Sequence, residues 1–171
     1  TGPEFLRDYR QKAWSLYRSL PMPTVKDEPW RRTDIRGLEV GRFSIPDGVE
    51  LQPLPTAPTW LMKPLVTKKH GGQVIIEPHR TKVTLDESLS RQGVIFTDLL
   101  TAEKQYPDLL ANIIGQVVKP EEGRFAALTA AMEKYGVFAY VPAGVNVEVP
   151  LHSVMWGPGE GLAYFSHIMV W

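Results

Sequence analysis

The stretch GRFAALTAAMEKYGVFAYVPAGVNVEVPL, residues 123–151, decides the fold. Its first half has a helical period, and its alanines predict close packing of that helix against a sheet. The expected apolar face consists of Phe125, Leu128, Ala131, Met132 and Tyr135. Gly136 is expected to end the helix, and two strand runs, GVFAYVP and GVNVEVP, follow it.

A third strand run, LAYFSHIMVW at residues 162–171, follows the turn GPGEG. Short β-branched or aromatic runs separated by Gly and Pro are typical of a sandwich, a barrel or a strand solenoid. The row of strands reaches Trp171 without a strand that closes it. We therefore expect the chain to be a truncated piece of a larger β-rich protein.

The N-terminal stretch predicts one helix and one packed turn. Apolar residues recur at helical spacing from Pro3 to Leu20, and the prolines of PMP directly afterwards end the helix. In DEPWRRTD, Asp27 is the expected N-cap of a short turn with Pro29 inside it and Trp30 anchored on the core. Arg31 and Arg32 are expected to be solvated or salt-bridged on the surface.

The middle of the chain predicts a tether and then a small mixed region. Five prolines between Phe43 and Pro64 indicate an extended segment. QVIIEP and KVTLD predict two strands separated by a turn at residues 79–81, and GVIFTDL predicts a third strand of the same small sheet near residues 94–96.

Two short helices, Leu99–Gln105 and Pro107–Val118, are expected after that sheet. The sequence thus predicts four parts: an N-terminal helix and turn at 1–42, a Pro-rich tether at 43–64, a mixed α/β region at 65–122, and a helix leading into strands at 123–171.

Composition excludes several classes of function. The sequence carries 19 basic and 19 acidic residues, so no strong field attracts nucleic acid or an anionic membrane. It contains no cysteine, which excludes disulfides, thiolate zinc sites, cysteine nucleophiles and thiolate-held iron–sulfur clusters in this segment. No apolar run approaches the roughly 20 residues of a membrane span. We expect a cytoplasmic protein.

The four histidines do not predict a metal site. They lie at positions 70, 79, 152 and 167, and no two share the spacing that brings ligands together on a helix. The segment PLHSVMW is similar to strands of cupin-type metal barrels, but Val154 stands where a second ligand should follow His152. A cupin-like metal-binding barrel that uses His152 is one alternative.

Other motifs that could carry chemistry lack the required context. Gly157, Gly159 and Gly161 precede a strand run and no Lys-Ser or Lys-Thr, so we expect a turn and not a phosphate loop. Glu121 and Glu122 belong to a solvated helix entry, and no nucleophile elbow is present. We therefore predict no catalytic, cofactor-binding or metal residue, and no enzymatic activity.

Two blocks of the sequence resemble a known family. LPMPTVKDEPWRRTDIRGL, residues 20–38, and the stretch 123–151 are similar to the N-terminal region of the SufB/SufD family of iron–sulfur cluster assembly proteins. The segment between them resembles the family more loosely, with VIFTDL in the expected order. The first block favours the SufD branch.

The resemblance implies an α+β fold in which a helical and mixed N-terminal region precedes the first strands of a right-handed parallel β-helix. It implies a non-catalytic scaffold that assembles with a SufB-like paralogue and the SufC-type ATPase in the SUF system. The family's functional residues lie in later segments, so no residue role and no cofactor is assigned to this segment, although the parent complex handles nascent iron–sulfur clusters.

A third hypothesis is a protein-interaction module, because an open strand edge invites pairing with another chain. We expect apolar residues at this edge to be underprotected, so that the chain either forms a homodimer there or frays. The residues concerned are Phe165, Ile168, Val170 and Trp171.

Overall fold

The computed structural model describes residues 2–45, 56–64, 68–78, 80–157 and 161–171. They form an α+β fold. The helices are α1 Glu4–Ser19, α2 Glu87–Arg91, α3 Leu99–Gln105, α4 Pro107–Ile113 and α5 Arg124–Met132. The strands are β1 Gly72–Glu77, β2 Arg80–Leu85, β3 Ile95–Asp98, β4 Tyr135–Tyr140, β5 Leu151–Met155 and β6 Ser166–Val170. Short 3-10 turns lie at Glu28–Trp30, Val40–Arg42 and Pro120–Glu122.

The N-terminal prediction is confirmed with one change. Helix α1 ends where Leu20 becomes extended, directly before the prolines. Asp27 precedes the turn Glu28–Trp30, but its carboxylate accepts hydrogen bonds from Thr24 and does not cap the turn. Trp30 is half-buried and packs against Phe125, with ring centroids 5.2 Å apart. The turn is thus anchored on α5 by its aromatic residue.

Helix α5 corrects two predictions. Its fully buried residues are Ala127 and Ala130, which lie outside the predicted apolar face, and α5 packs against α1. Small side chains let the two helices approach closely. The helix also ends at Met132, before Gly136, and Gly136 lies inside β4. A Cβ at Gly136 would stand 2.3 Å from the carbonyl oxygen of His167. Glycine at this position therefore allows β4 and β6 to pair closely, and it does not end the helix.

Six strands of the described residues form two three-stranded sheets. Sheet I has the order β2-β1-β5 and sheet II has the order β3-β4-β6. The predicted hairpin of β1 and β2 is confirmed as an antiparallel pair. The predicted assignment of β3 to that same sheet is wrong, because β3 pairs antiparallel with β4. Helices α3 and α4 are confirmed, although α4 ends earlier than expected.

The last three strands alternate between the two sheets. β4 belongs to sheet II, β5 joins sheet I parallel to β1, and β6 returns to sheet II parallel to β4. Each sheet therefore begins with an antiparallel pair and is extended by one parallel strand. The predicted strand at 144–150 is wrong: these residues belong to no ladder, and the strand follows at β5.

Sheet II lies between two hydrophobic clusters. The inter-sheet core combines Val74, Ile76, Phe96, Val137 and Ala139. The helix-facing core lies on the other side of sheet II and combines Leu6, Leu99, Ala102, Leu110, Ile114, Phe138 and Met169. Burying one such side chain contributes about 1.5–3 kcal/mol. Both clusters thus depend on β4, whose successive residues point to opposite faces.

The predicted tether at 43–64 lies partly outside the described residues, since 46–55 are not among them. At its start Ser44 bridges to Leu162. Near its end the chain turns, and the amide of Leu61 donates to the carbonyl of Pro58. The division of the chain into four parts remains a prediction. Among the described helices, none has the length and apolar character needed to cross a membrane.

Candidate functional site

A buried ionic network joins the helices to sheet II. Arg10 of α1 forms an ion pair with Glu103 of α3, and its Nη2 lies 3.9 Å from Glu133, directly after α5. His167 of β6 contacts Glu133 through Nδ1. The Glu133 side chain is fully buried, and Arg10 and His167 meet its carboxylate from two sides. Such a network fixes four elements to one another, because removing one partner leaves a buried charge uncompensated.

Tyr9 lies beside this network. Its hydroxyl is buried and has no hydrogen-bond partner in the described part of the chain. Burial raises the pKa of Tyr9 to about 12, and the carboxylates of Glu133 and Glu121 act in the same direction. The neutral phenol is therefore strongly favoured in the fold.

A second polar cluster lies on sheet I and contains two histidines. The rings of His70 and His152 stack with centroids 4.5 Å apart and planes 13° apart. Nε2 of Gln73 lies 3.0 Å from Nδ1 of His152 and 3.1 Å from the carbonyl oxygen of Met62. Nε2 of His70 lies 3.0 Å from that same carbonyl. The cluster connects β1, β5 and the turn around Met62.

This geometry does not favour a metal ion. The lone pairs of an imidazole lie in its ring plane, so two nearly parallel stacked rings do not direct their nitrogens at one point. Gln73 already occupies Nδ1 of His152. The described residues contain no group of three or more potential ligands suited to a metal. Of the other histidines, His167 belongs to the ionic network and His79 lies outside the described residues.

The remaining candidate residues lie on the surface or in turns. Arg31 approaches Glu28 at 3.9 Å with both side chains largely exposed, and Arg32 is exposed, as predicted. Glu121 and Glu122 are exposed in a 3-10 turn. The glycine-rich turn lies partly outside the described residues. The structure does not bring these groups together with either polar cluster.

The strands β5 and β6 form one open edge on each sheet. Ile168 and Val170 are 66% and 68% exposed, and Trp171 is 46% exposed, which confirms the predicted underprotection of these three residues. Phe165, the fourth residue of that set, is half-buried. Met169, between the two exposed residues, is buried against the helices. Pairing or fraying at this edge remains a prediction.

Comparison with known proteins gives a consistent result. A family model described as the SufBD protein N-terminal region matches residues 2–152. The iron–sulfur cluster assembly protein SufD of Bacillus subtilis is 28% identical over 171 residues, which cover 98% of this chain and 38% of that protein. SufB of the same organism is 26% identical over 182 residues, with 98% and 37% covered.

A SufBD family protein of Mycobacterium tuberculosis is 34% identical over 84 residues, which cover 49% of this chain and 10% of that protein. The chain thus spans less than two fifths of the length of these three curated relatives. The similarity to SufD and the similarity to SufB are nearly equal.

Proposed function

The chain belongs to the SufBD family of iron–sulfur cluster assembly proteins and matches its N-terminal region, and from this premise we propose that it is part of a SufD-like scaffold subunit. The observation that carries the proposal is the family match over residues 2–152. The identities to SufD and to SufB are nearly equal and do not distinguish the two branches of the family. The block at residues 20–38 favours the SufD branch.

A scaffold role is supported by how the polar groups are used. Three carboxylates are buried among the described residues, and each has a partner inside the fold: Asp98 accepts from Thr101, Glu103 pairs with Arg10, and Glu133 contacts His167. In the second cluster, on sheet I, Gln73 binds the Met62 carbonyl and the His152 ring. Because the sequence has no cysteine, thiolate ligands for a cluster would have to come from other chains or other segments. We therefore propose that this segment is itself non-catalytic.

The strand order supports the start of a right-handed parallel β-helix. In a solenoid the chain visits the sheets in turn, and each new strand pairs parallel with the strand of the previous coil. β4, β5 and β6 follow this pattern, because β6 returns to sheet II beside β4 after β5 has joined sheet I. The open edges of β5 and β6 are then the places where a further coil would add.

We propose that the full-length protein works in the cytoplasm with a SufB-like paralogue and a SufC-like ATPase, and that the nascent iron–sulfur cluster is the cargo of the complex. The test is co-purification: the tagged full-length protein is expressed with both partners from the same genome. We expect both to be retained after washing, whereas an unrelated ATPase of the same type, used as the control, should be lost. Recovery of the tagged protein without the SufC-like ATPase would contradict the proposal.

A second candidate function is a protein-interaction module that uses the edge of β6. The exposed Ile168 and Val170 favour it, since an apolar edge strand is a template for another strand. Sedimentation of the 171-residue chain over a wide concentration range tests this second candidate function. A homodimer that an Ile168→Lys substitution dissociates supports this function, and a strict monomer at high concentration excludes pairing between copies.

A further inference from the structure

The cluster on sheet I holds a neighbouring segment in place. We call residues 58–64 and 68–70 the strap. The strap supplies the Met62 carbonyl and the His70 ring, whereas Gln73 lies on β1 and His152 on β5. These four groups are within hydrogen-bonding or stacking distance of one another, although 79 positions separate Gln73 from His152.

The hydrogen atoms of the cluster can be placed by elimination. A carbonyl oxygen only accepts, so the Gln73 atom facing Met62 must be the amide NH₂. Its second hydrogen points to Nδ1 of His152, which must therefore be an unprotonated acceptor. Nε2 of His70 also faces the Met62 carbonyl and must donate. The hydrogen bonds close only when His152 is neutral.

A second proton has no suitable place in this arrangement. Protonation of His152 at Nδ1 would set a donor against the Gln73 NH₂ group. Turning the amide over would restore that bond, but it would place an amide oxygen against the Met62 carbonyl. On His70 the other nitrogen, Nδ1, is buried without a partner among the described residues. A proton there would be an unsatisfied buried donor.

We propose that His152, with His70 and Gln73, forms a pH-sensitive latch that holds the strap against sheet I while His152 is neutral and releases it when His152 is protonated. The strap contacts sheet I through the Met62 carbonyl, which accepts from Gln73 of β1, and through the His70 ring, which stacks on His152 of β5. Release of the strap would therefore uncover Gln73 and His152 on the parallel pair of β1 and β5.

The groups around His152 also favour its neutral form. Burial lowers the pKa of His152, and the charge that His70 can carry lowers it further. On the same face of sheet I, Glu77 of β1 pairs with Arg80 of β2, and Lys82 of β2 lies opposite Ile75. Lys69 precedes His70 and acts on Asp86.

The sign of the effect follows from linkage. The unfolded or released form of His152 has the ordinary pKa of 6.5, and the latched form has a lower one. The latch is therefore fully stabilising above pH 6.5, and this stabilisation is lost as the pH falls through the lowered value. With one proton involved, the opening equilibrium should increase by up to about tenfold per pH unit within that window.

Two measurements on the 171-residue chain test the latch between about pH 5 and about pH 8. The NMR signal of the His152 ring gives its pKa, and amide hydrogen exchange at Leu61 and Met62, corrected for the intrinsic pH dependence, reports opening of the strap. We expect His152 to titrate below 6.5. We also expect the strap amides to lose protection over that range while the amide of Val137 in β4 does not.

Three variants separate the latch from general instability. His152→Phe keeps a flat ring on His70 but cannot titrate, so strap protection should no longer depend on pH. Gln73→Glu sets a carboxylate beside Nδ1 of His152, where it can accept from the protonated ring, so His152 should titrate at higher pH than in the wild type. Lys82→Gln changes an exposed cation on the same sheet face and should leave the profile unchanged.

Three results would overturn the proposal. They are a His152 titration at or above 6.5, strap protection that does not change as His152 titrates, and loss of Val137 protection in parallel with the strap. If His152→Phe does not fold, the wild-type titration and the Gln73→Glu shift still decide the question.

Discussion

Sheet I and sheet II have the same plan but are held by different chemistry. Each begins with an antiparallel pair and adds one parallel strand. Sheet II packs helices on one face and is tied to them where His167 of β6 contacts Glu133, which belongs to the network of Arg10 and Glu103. Sheet I is linked to the strap by neutral hydrogen bonds around Gln73. The comparison indicates that β4 and its contacts carry most of the stability.

The largest expected effect is the loss of Phe138. This side chain is fully buried between sheet II and the helices. Phe138→Ala should lower the free energy of unfolding by about 3–5 kcal/mol, because it removes apolar contacts and leaves a cavity. Urea unfolding followed by circular dichroism measures it. Val137→Ala in β4 and Val154→Ala in β5 delete the same atoms and form the matched pair. The β4 variant should cost more, and equal losses would show that the sheets contribute equally.

The ionic network should give the next largest effect. Arg10→Met leaves the carboxylates of Glu103 and Glu133 without their shared cation. We expect a loss of about 2–3 kcal/mol, below the usual range for a buried pair because Arg10 is 24% exposed. A double-mutant cycle with Glu103→Gln isolates the pair, and Arg7→Met on the exposed side of α1 is the control. Additive losses would contradict the coupling.

Two glycines test the strand contacts of each sheet directly. A Cβ at Gly136 would meet a backbone oxygen at 2.3 Å, which cannot move without separating β4 from β6. A Cβ at Gly72 would meet side-chain atoms of Phe96 and Leu85 at 3.0 and 3.1 Å, which can shift, although a backbone oxygen of Thr84 also lies at 3.1 Å.

We expect Gly136→Ala to cost about 1–3 kcal/mol and Gly72→Ala less, because overpacking is worst against backbone. Denaturant unfolding of both variants measures this difference. Gly37→Ala, with nothing within 4 Å, should be neutral and serves as the control. A larger loss of stability for Gly72→Ala than for Gly136→Ala would contradict the expectation that the strand contact at Gly136 is the less tolerant one.

The smallest effect concerns Tyr9. Its pKa is about 12 in the fold against 10.0 ordinarily, so ionisation opposes folding: the stability is intact below pH 10 and is lost as the pH rises towards 12. Tyr9→Phe should stabilise the fold by about 1 kcal/mol near neutral pH, since the buried hydroxyl has no partner in the described structure and burying it unpaired is costly. Its advantage over the wild type should grow above pH 10, in alkaline unfolding curves. An advantage that stays constant above pH 10 would contradict this.

Local patterns predicted much of the fold. The helical period gave α1, α3 and the start of α4, and β-branched runs gave β1 and β2. Gly136 was misinterpreted because glycine is a common helix terminator, whereas here it permits close contact between β4 and β6. The run at 144–150 has strand composition, but a strand also needs a partner, and β1 is taken by β2 and β5.

The polar clusters could not be predicted. Arg10 and Glu103 are 93 residues apart, and Gln73 and His152 are 79 apart, so their contacts depend on strand register and helix packing. Helical or strand spacing relates only residues that are close in sequence. The one available signal was the alternation along PLHSVMW, which puts His152 on the face opposite Ser153. It gave the orientation of His152 but not its partners.

The most direct test is an experimental structure of a full-length protein that contains this region, in complex with the SufB-like and SufC-like partners proposed above. We predict that later strands of the same chain pair parallel with β5 and β6 in alternation, and that Ile168 and Val170 become buried between the sheets. Antiparallel pairing at these edges, or a β6 edge covered by helices while β5 stays open, would contradict the assignment of β4, β5 and β6 as the first coil of a solenoid.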